Sequence, residues 1–123
     1  MDSKKKKKKK KKKTGKPAKN CCVYAIILDA AKFTKTHMKS FKDENPDWIE
    51  DMPAYYIGQS AKTPDARYED HKRGHKSSIW VEKYGVGVEH HMCELNLTRS
   101  KAIAREEEKA DEERKLGIGI WWG

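Results

Sequence analysis

Residues 55–85, YYIGQSAKTPDARYEDHKRGHKSSIWVEKYG, decide how the rest of the chain is read. Tyr55, Tyr56 and Ile57 are aromatic and β-branched and favour a strand, which Gly58 stops. Residues 59–62 form a short polar link. Thr63-Pro64 then has the form of a helix N-cap with proline at the first helical position, and Asp65 sits in the first turn, where an acid suits the helix dipole. The predicted helix carries Arg67 and His71 one turn apart, on one face. Gly74 ends it, with Lys72, Arg73 and Lys76 gathered where cations are favoured. A second short helix over 77–84 closes at Gly85. A strand delivering a tyrosine beside a helix delivering an arginine and a histidine suits an anionic substrate.

Upstream, Cys21–Leu28 (CCVYAIIL) is an unbroken apolar run of strand length. Lack of alternation predicts a strand covered on both faces, hence a central one. Residues 30–42 read as a helix with Phe33, His37, Met38 and Phe41 on its apolar face. Asn45-Pro46-Asp47 breaks it, and Trp48, Ile49 and Met52 return toward the core. Downstream, residues 86–95 read as a third strand and its approach. His90, His91 and Cys93 invite a zinc reading, but neighbouring histidines of a strand face opposite sides. The last helix is expected over 98–116, with Gly117 after it. Ala102, Ile103, Ala110 and Leu116 make a thin apolar stripe, and Glu106 projects from it toward the sheet. A carboxylate on an inward face needs a cation, either a side chain or a metal.

The chain has 123 residues and a net charge of +9, with 28 basic and 19 acidic groups. That length fits one domain. Residues 1–19 hold 12 lysines and one aspartate, so the remaining 104 residues carry 16 basic and 18 acidic groups, a balance of −2. Residues 1–20 are expected to be a disordered lysine-rich tail, with Lys4 to Lys13 unbroken. Such a tail can bind polyanions with steep salt dependence, or serve as a solubilising or targeting tract. Residues 21–123 are then the folded domain. Three cysteines, Cys21, Cys22 and Cys93, make no disulfide framework and point to reduced thiols in an intracellular, cytoplasmic setting. No apolar run is long enough for a membrane helix, so no membrane partner is expected.

Tyr56-Ile57-Gly58-Gln59-Ser60, Arg67 nine residues after the glycine, and His71-Lys72-x-Gly74 together resemble the second half of the GIY-YIG endonuclease signature. Cys22-Val23-Tyr24 stands where the first motif would be, keeping its tyrosine. The family commonly joins the two motifs by a tight hairpin. Here Tyr24 and Tyr56 are 32 residues apart, making 30–53 an insertion, expected as a lid or side element, or else as a specificity or partner surface. The asparagine that many members carry near the end of their motif set has no counterpart, since Asn96 precedes the glutamate.

The resemblance implies an α/β (α+β) fold, a central three-stranded antiparallel sheet flanked by helices. It also implies hydrolysis of DNA phosphodiesters with Mg²⁺ or Mn²⁺. In that scheme Tyr24 is the general base or its relay, and Tyr56 holds the water or a phosphate. Arg67 grips phosphate through paired hydrogen bonds, and Glu106 holds the metal. His71 assists proton transfer or binds phosphate, while Gly58 permits close backbone approach and Lys72, Arg73 and Lys76 bind the substrate. With no separate DNA-binding domain recognisable, sequence preference is weak or a protein partner supplies it. The alternative is a nucleic-acid-binding module that keeps the fold without turnover.

Overall fold

The structure, a computed structural model, describes residues 17–123; of the expected lysine-rich tail, residues 1–16 lie outside the described residues. Cys21–Leu28 forms the central strand, β1, as its unbroken apolar run demands. Cys22, Tyr24, Ile26 and Leu28 face one core layer, and Cys21, Val23 and Ala25 face the other. After a 3-10 turn at Ala30–Lys32 come helix α1 (Lys35–Glu44) and strand β2 (Ala54–Ser60), antiparallel to β1 with Tyr24 opposite Gly58. Helix α2 (Pro64–Lys72) starts as the sequence signals, the Thr63 hydroxyl accepting from the Ala66 N–H and Pro64 in the first turn. Helix α3 (Ile79–Tyr84) leads into strand β3 (Gly85–Val88).

A mixed α/β molecule results, but its sheet has five strands rather than the expected three. The stretch 86–95 is not one strand. A second 3-10 turn, His90–Met92, interrupts it because the Glu89 side chain accepts from the His91 N–H. β3 and strand β4 (Glu94–Leu97) therefore lie end to end along the same edge of β1, both antiparallel to it. Helix α4 (Arg99–Arg114) then crosses the sheet, and Gly117, with φ +85°, turns the chain into strand β5 (Gly119–Trp122), parallel to β2. The ends of α4 fall close to expectation, but its apolar stripe is narrower. Ala102 and Ala110 are fully buried, whereas Ile103 and Leu116 are 52% and 62% exposed. Lys109 is buried in their place, its Nζ reaching Glu94.

The insertion 30–53 is not a lid. Its helix begins only at Lys35, where Thr34 caps it by accepting from the His37 N–H. Phe41 is fully buried, with Trp48 and Trp80 against it at ring separations of 4.9 and 5.7 Å. Asn45, read as a helix breaker, is buried and fastens the insertion to the sheet. Its Nδ2 donates to the Phe41 and Ile120 carbonyls at 2.8 and 3.0 Å, and its Oδ1 accepts from Ile120 N–H and Arg114 Nε at 2.8 and 2.9 Å. All of its hydrogen-bonding capacity is used inside the core. Among the described residues, no helix is long and apolar enough to cross a membrane.

Candidate active site

Tyr24 and Tyr56 project from β1 and β2 into the layer beneath α1, α2 and α3, with ring centroids 6.2 Å apart. His71, on the buried side of α2, closes a triangle with them at 5.9 and 5.6 Å. Its Nδ1 accepts from the Ser78 N–H at 2.9 Å, so the neutral ring carries its proton on Nε2. That Nε2–H donates to Tyr24 Oη at 2.8 Å. Burial first, and the Arg67 charge second, push the His71 pKa down from 6.5 to about 4, so the ring is neutral near pH 7. His71 is 1% exposed and both its nitrogens are engaged. The expected phosphate contact is therefore excluded in this conformation, and the ring's observed work is to hold Tyr24.

Gly58 lies opposite Tyr24 in the ladder, and a Cβ there would sit 2.4 Å from Tyr24 Oη. The close approach this glycine permits among the described residues is by the chain's own phenol. Arg67 stands on α2 close enough for its charge to favour the ionised form of the same phenol. The loop fixes it further, through Nη1 to the His75 carbonyl at 3.2 Å and Nη2 to the Lys76 carbonyl at 2.7 Å. A guanidinium has five N–H donors, so these bonds leave capacity for a ligand. Burial, then the neighbouring Tyr56, raise the Tyr24 pKa against that pull. Burial, then Glu106, raise that of Tyr56, opposed by Ser78, Arg67 and Tyr24. Both phenols are protonated at neutral pH, and at 2% and 5% exposure they lie beneath the surface.

Glu106 approaches from α4, which covers the opposite face of the sheet. Its charge acts on both phenols past the end of the short strand β5. Ile57 turns its carbonyl toward β5 and accepts from the Gly123 N–H at 3.4 Å. Two residues on, the Gln59 N–H points to the same edge, past the end of β5, where it favours the ionised form of Glu106. Burial raises the Glu106 pKa, that amide lowers it, and no cationic side chain contributes. Its neighbours differ. Glu94 is held low by Arg105 and then Lys109, and Asp70 is pulled to about 2 by Lys62 and then Arg73. Glu106 is thus a half-buried acid on its inward face, as read from the sequence, without a cation beside it.

The expected basic residues divide. Lys72 is consumed structurally, its Nζ donating to the carbonyls of Val81, Glu82 and Gly85 at 3.4, 3.2 and 3.0 Å, where it satisfies the end of α3. Arg73 pairs with Asp70, and Lys76 lends its carbonyl to Arg67 while its own side chain stays in solvent. The sequence reading missed Asp70, although it stands three residues from both Arg67 and Arg73 on α2, the spacing that brings helical side chains together. It also missed Arg99, whose Nη1 lies 3.4 Å from Gln59 Oε1 and which stands seven residues before Glu106, on the same face of α4. His90 belongs to neither group, its Nε2 hydrogen-bonded to Asp65 Oδ1 at 2.9 Å in its 3-10 turn.

Among the described residues, no three His, Cys, Asp or Glu side chains are grouped to hold a metal by themselves. A single carboxylate suits a hard cation that keeps most of its water, as Mg²⁺ does, and does not suit zinc. No family model, curated protein or solved structure matches the chain.

Proposed function

We propose that the chain is a metal-dependent nuclease of GIY-YIG type, hydrolysing phosphodiester bonds of DNA. One observation supports this reading: Tyr24, Tyr56, Arg67 and Glu106 stand on four separate elements, and the charges of Arg67 and Glu106 both act on the two phenols. Such convergence of two phenols, a guanidinium and an uncompensated acid is more than packing needs.

In this scheme Glu106 holds Mg²⁺ or Mn²⁺, and Arg67 turns its free N–H groups to a phosphate oxygen. The bound ion would supply positive charge over the phosphate and acidify a water. The phenols, protonated at rest, orient that water, and a phenol that accepts its proton passes its own to the leaving oxygen. His71, donating to Tyr24 Oη, fixes the first phenol and steadies the charge that develops there. Gly58 leaves room for this arrangement. The lysine-rich residues 1–20 act as a tether to the polyanion, and the setting is cytoplasmic.

The burial of both phenols favours a second reading, a nucleic-acid-binding module without turnover on the same scaffold. Supercoiled plasmid separates the two when incubated with Mg²⁺ or with EDTA, using the parent and Glu106→Ala. Mg²⁺-dependent nicking lost in Glu106→Ala upholds the nuclease. DNA binding by both with nicking by neither leaves only the module.

A further inference from the structure

Asp70 is the most deeply buried carboxylate near the candidate site, its side chain 3% exposed. Three cations surround it: Lys62 Nζ at 2.5 Å, the Arg73 guanidinium in direct contact, and Arg67 Nη1 at 4.0 Å. One negative charge thus anchors three positive ones. The buried acid requires a cation, but it does not require three. Lys62 and Arg73 keep 53% and 65% of their side chains in solvent, whereas Arg67 keeps 18%. Asp70 therefore fixes two outward-facing cations beside the guanidinium of Arg67. The cluster is not part of the fold's core, and Lys62 and Asp70 have no role in the chemistry above.

We propose that Lys62 and Arg73, positioned by Asp70, form a phosphate clamp for the nucleic-acid backbone, holding a phosphate adjacent to the one Arg67 addresses. The proposal rests on the nucleic-acid reading above and names where the strand runs. It passes over the end of α2 and the loop after β2, on the Arg67 side of the two phenols. The ammonium of Lys62 has three N–H groups and the guanidinium of Arg73 five, so each can serve Asp70 and a phosphate oxygen together. An extended backbone with one negative charge per phosphate is the matching partner for such a surplus.

The test is binding of a short fluorescein-labelled DNA duplex to the full chain in EDTA, by anisotropy across a salt series. The decisive variant is Lys62→Gln/Arg73→Gln/Asp70→Asn, in which no buried acid is left without a cation. Removing two phosphate-binding cations should lower the slope of log affinity against log salt by about 1.8. Over a roughly threefold rise in salt the parent would then lose about sevenfold more affinity than the variant. Lys62→Arg/Arg73→Lys should restore the parent's slope. The distant Lys39→Gln should keep it, whereas Asp70→Asn alone, which frees both cations from their anchor, should lower it part of the way. A triple variant with the parent's slope overturns the clamp, Asp70→Asn with the parent's slope overturns the positioning by Asp70, and a parent that binds no duplex overturns both. Because binding is read without metal, a parent that binds as expected yet never nicks plasmid in Mg²⁺ defeats the nuclease reading alone. A parent that cuts while the triple variant keeps its slope defeats the clamp alone.

Discussion

Gly58→Ala is the sharpest perturbation available, because it strikes the contact that seats Tyr24. The new Cβ would lie 2.4 Å from Tyr24 Oη, 2.6 Å from Cζ and 3.0 Å from Cε1. Carbon contacts settle near 3.5 Å, so the phenol must retreat by about 1 Å. That movement opposes the hydrogen bond from His71 Nε2, now 2.8 Å long. Overpacking a core costs about 1–3 kcal/mol. Leaving a buried donor unmet costs about 1–3 kcal/mol more. Against these stands a gain of about 0.4–1 kcal/mol from a stiffer unfolded chain. The net expectation is a loss of about 1–5 kcal/mol in urea denaturation, the lower end corresponding to partial relaxation. Gly87→Ala, where an added Cβ meets nothing within 4 Å, is the control and should change little. Tyr24→Phe added to Gly58→Ala should cost less than it does alone, since the hydrogen bond is already broken. Equal stability of the two glycine variants, or strict additivity with Tyr24→Phe, would refute the packing argument.

Titration of His71 gives a second test. Its folded pKa of about 4 lies below the unfolded 6.5, so between those values the unfolded state binds the extra proton. The stabilisation is present above pH 6.5 and is lost as pH falls toward 4, amounting to about 3 kcal/mol at most. NMR of the ring protons should place the transition near 4, and a midpoint near 6.5 would contradict the buried hydrogen-bonded ring. Asn45→Ala removes four hydrogen bonds and orphans the Ile120 N–H, and should cost about 2–4 kcal/mol by denaturation. A loss below about 0.5 kcal/mol would show the insertion to be the appendage its sequence suggested. Lys72→Met should lower stability by about 1 kcal/mol while leaving the salt slope of DNA binding unchanged. A reduced slope would return Lys72 to the substrate face.

What could be read from the sequence follows from how local each signal is. β1 was visible because eight residues without polar interruption leave little choice but a doubly covered strand. The start of α2 was visible because Thr63, Pro64 and Asp65 each fit one position of a helix N-terminus. The inward face of Glu106 followed from its four-residue spacing to Ala102 and Ala110. Its lack of a cationic neighbour did not, because that depends on where β5 stops beside β2. The fate of Lys72 was hidden in the same way: a lysine at a helix end looks alike whether it meets solvent or the carbonyls of another helix. His71 looked like a ligand-facing group because helical spacing gives a direction and says nothing of depth. Asn45 shows the limit most plainly, since its main partners lie 75 residues away, in β5.

Manganese binding, followed by electron paramagnetic resonance of the free ion, tests the heart of the account most directly. The parent should take up one Mn²⁺ that Mg²⁺ displaces, Glu106→Gln should lose it, and the exposed Asp43→Asn should keep it. Uptake that survives Glu106→Gln, or no uptake by the parent even with DNA bound, would contradict the assignment of Glu106 as the seat of the ion.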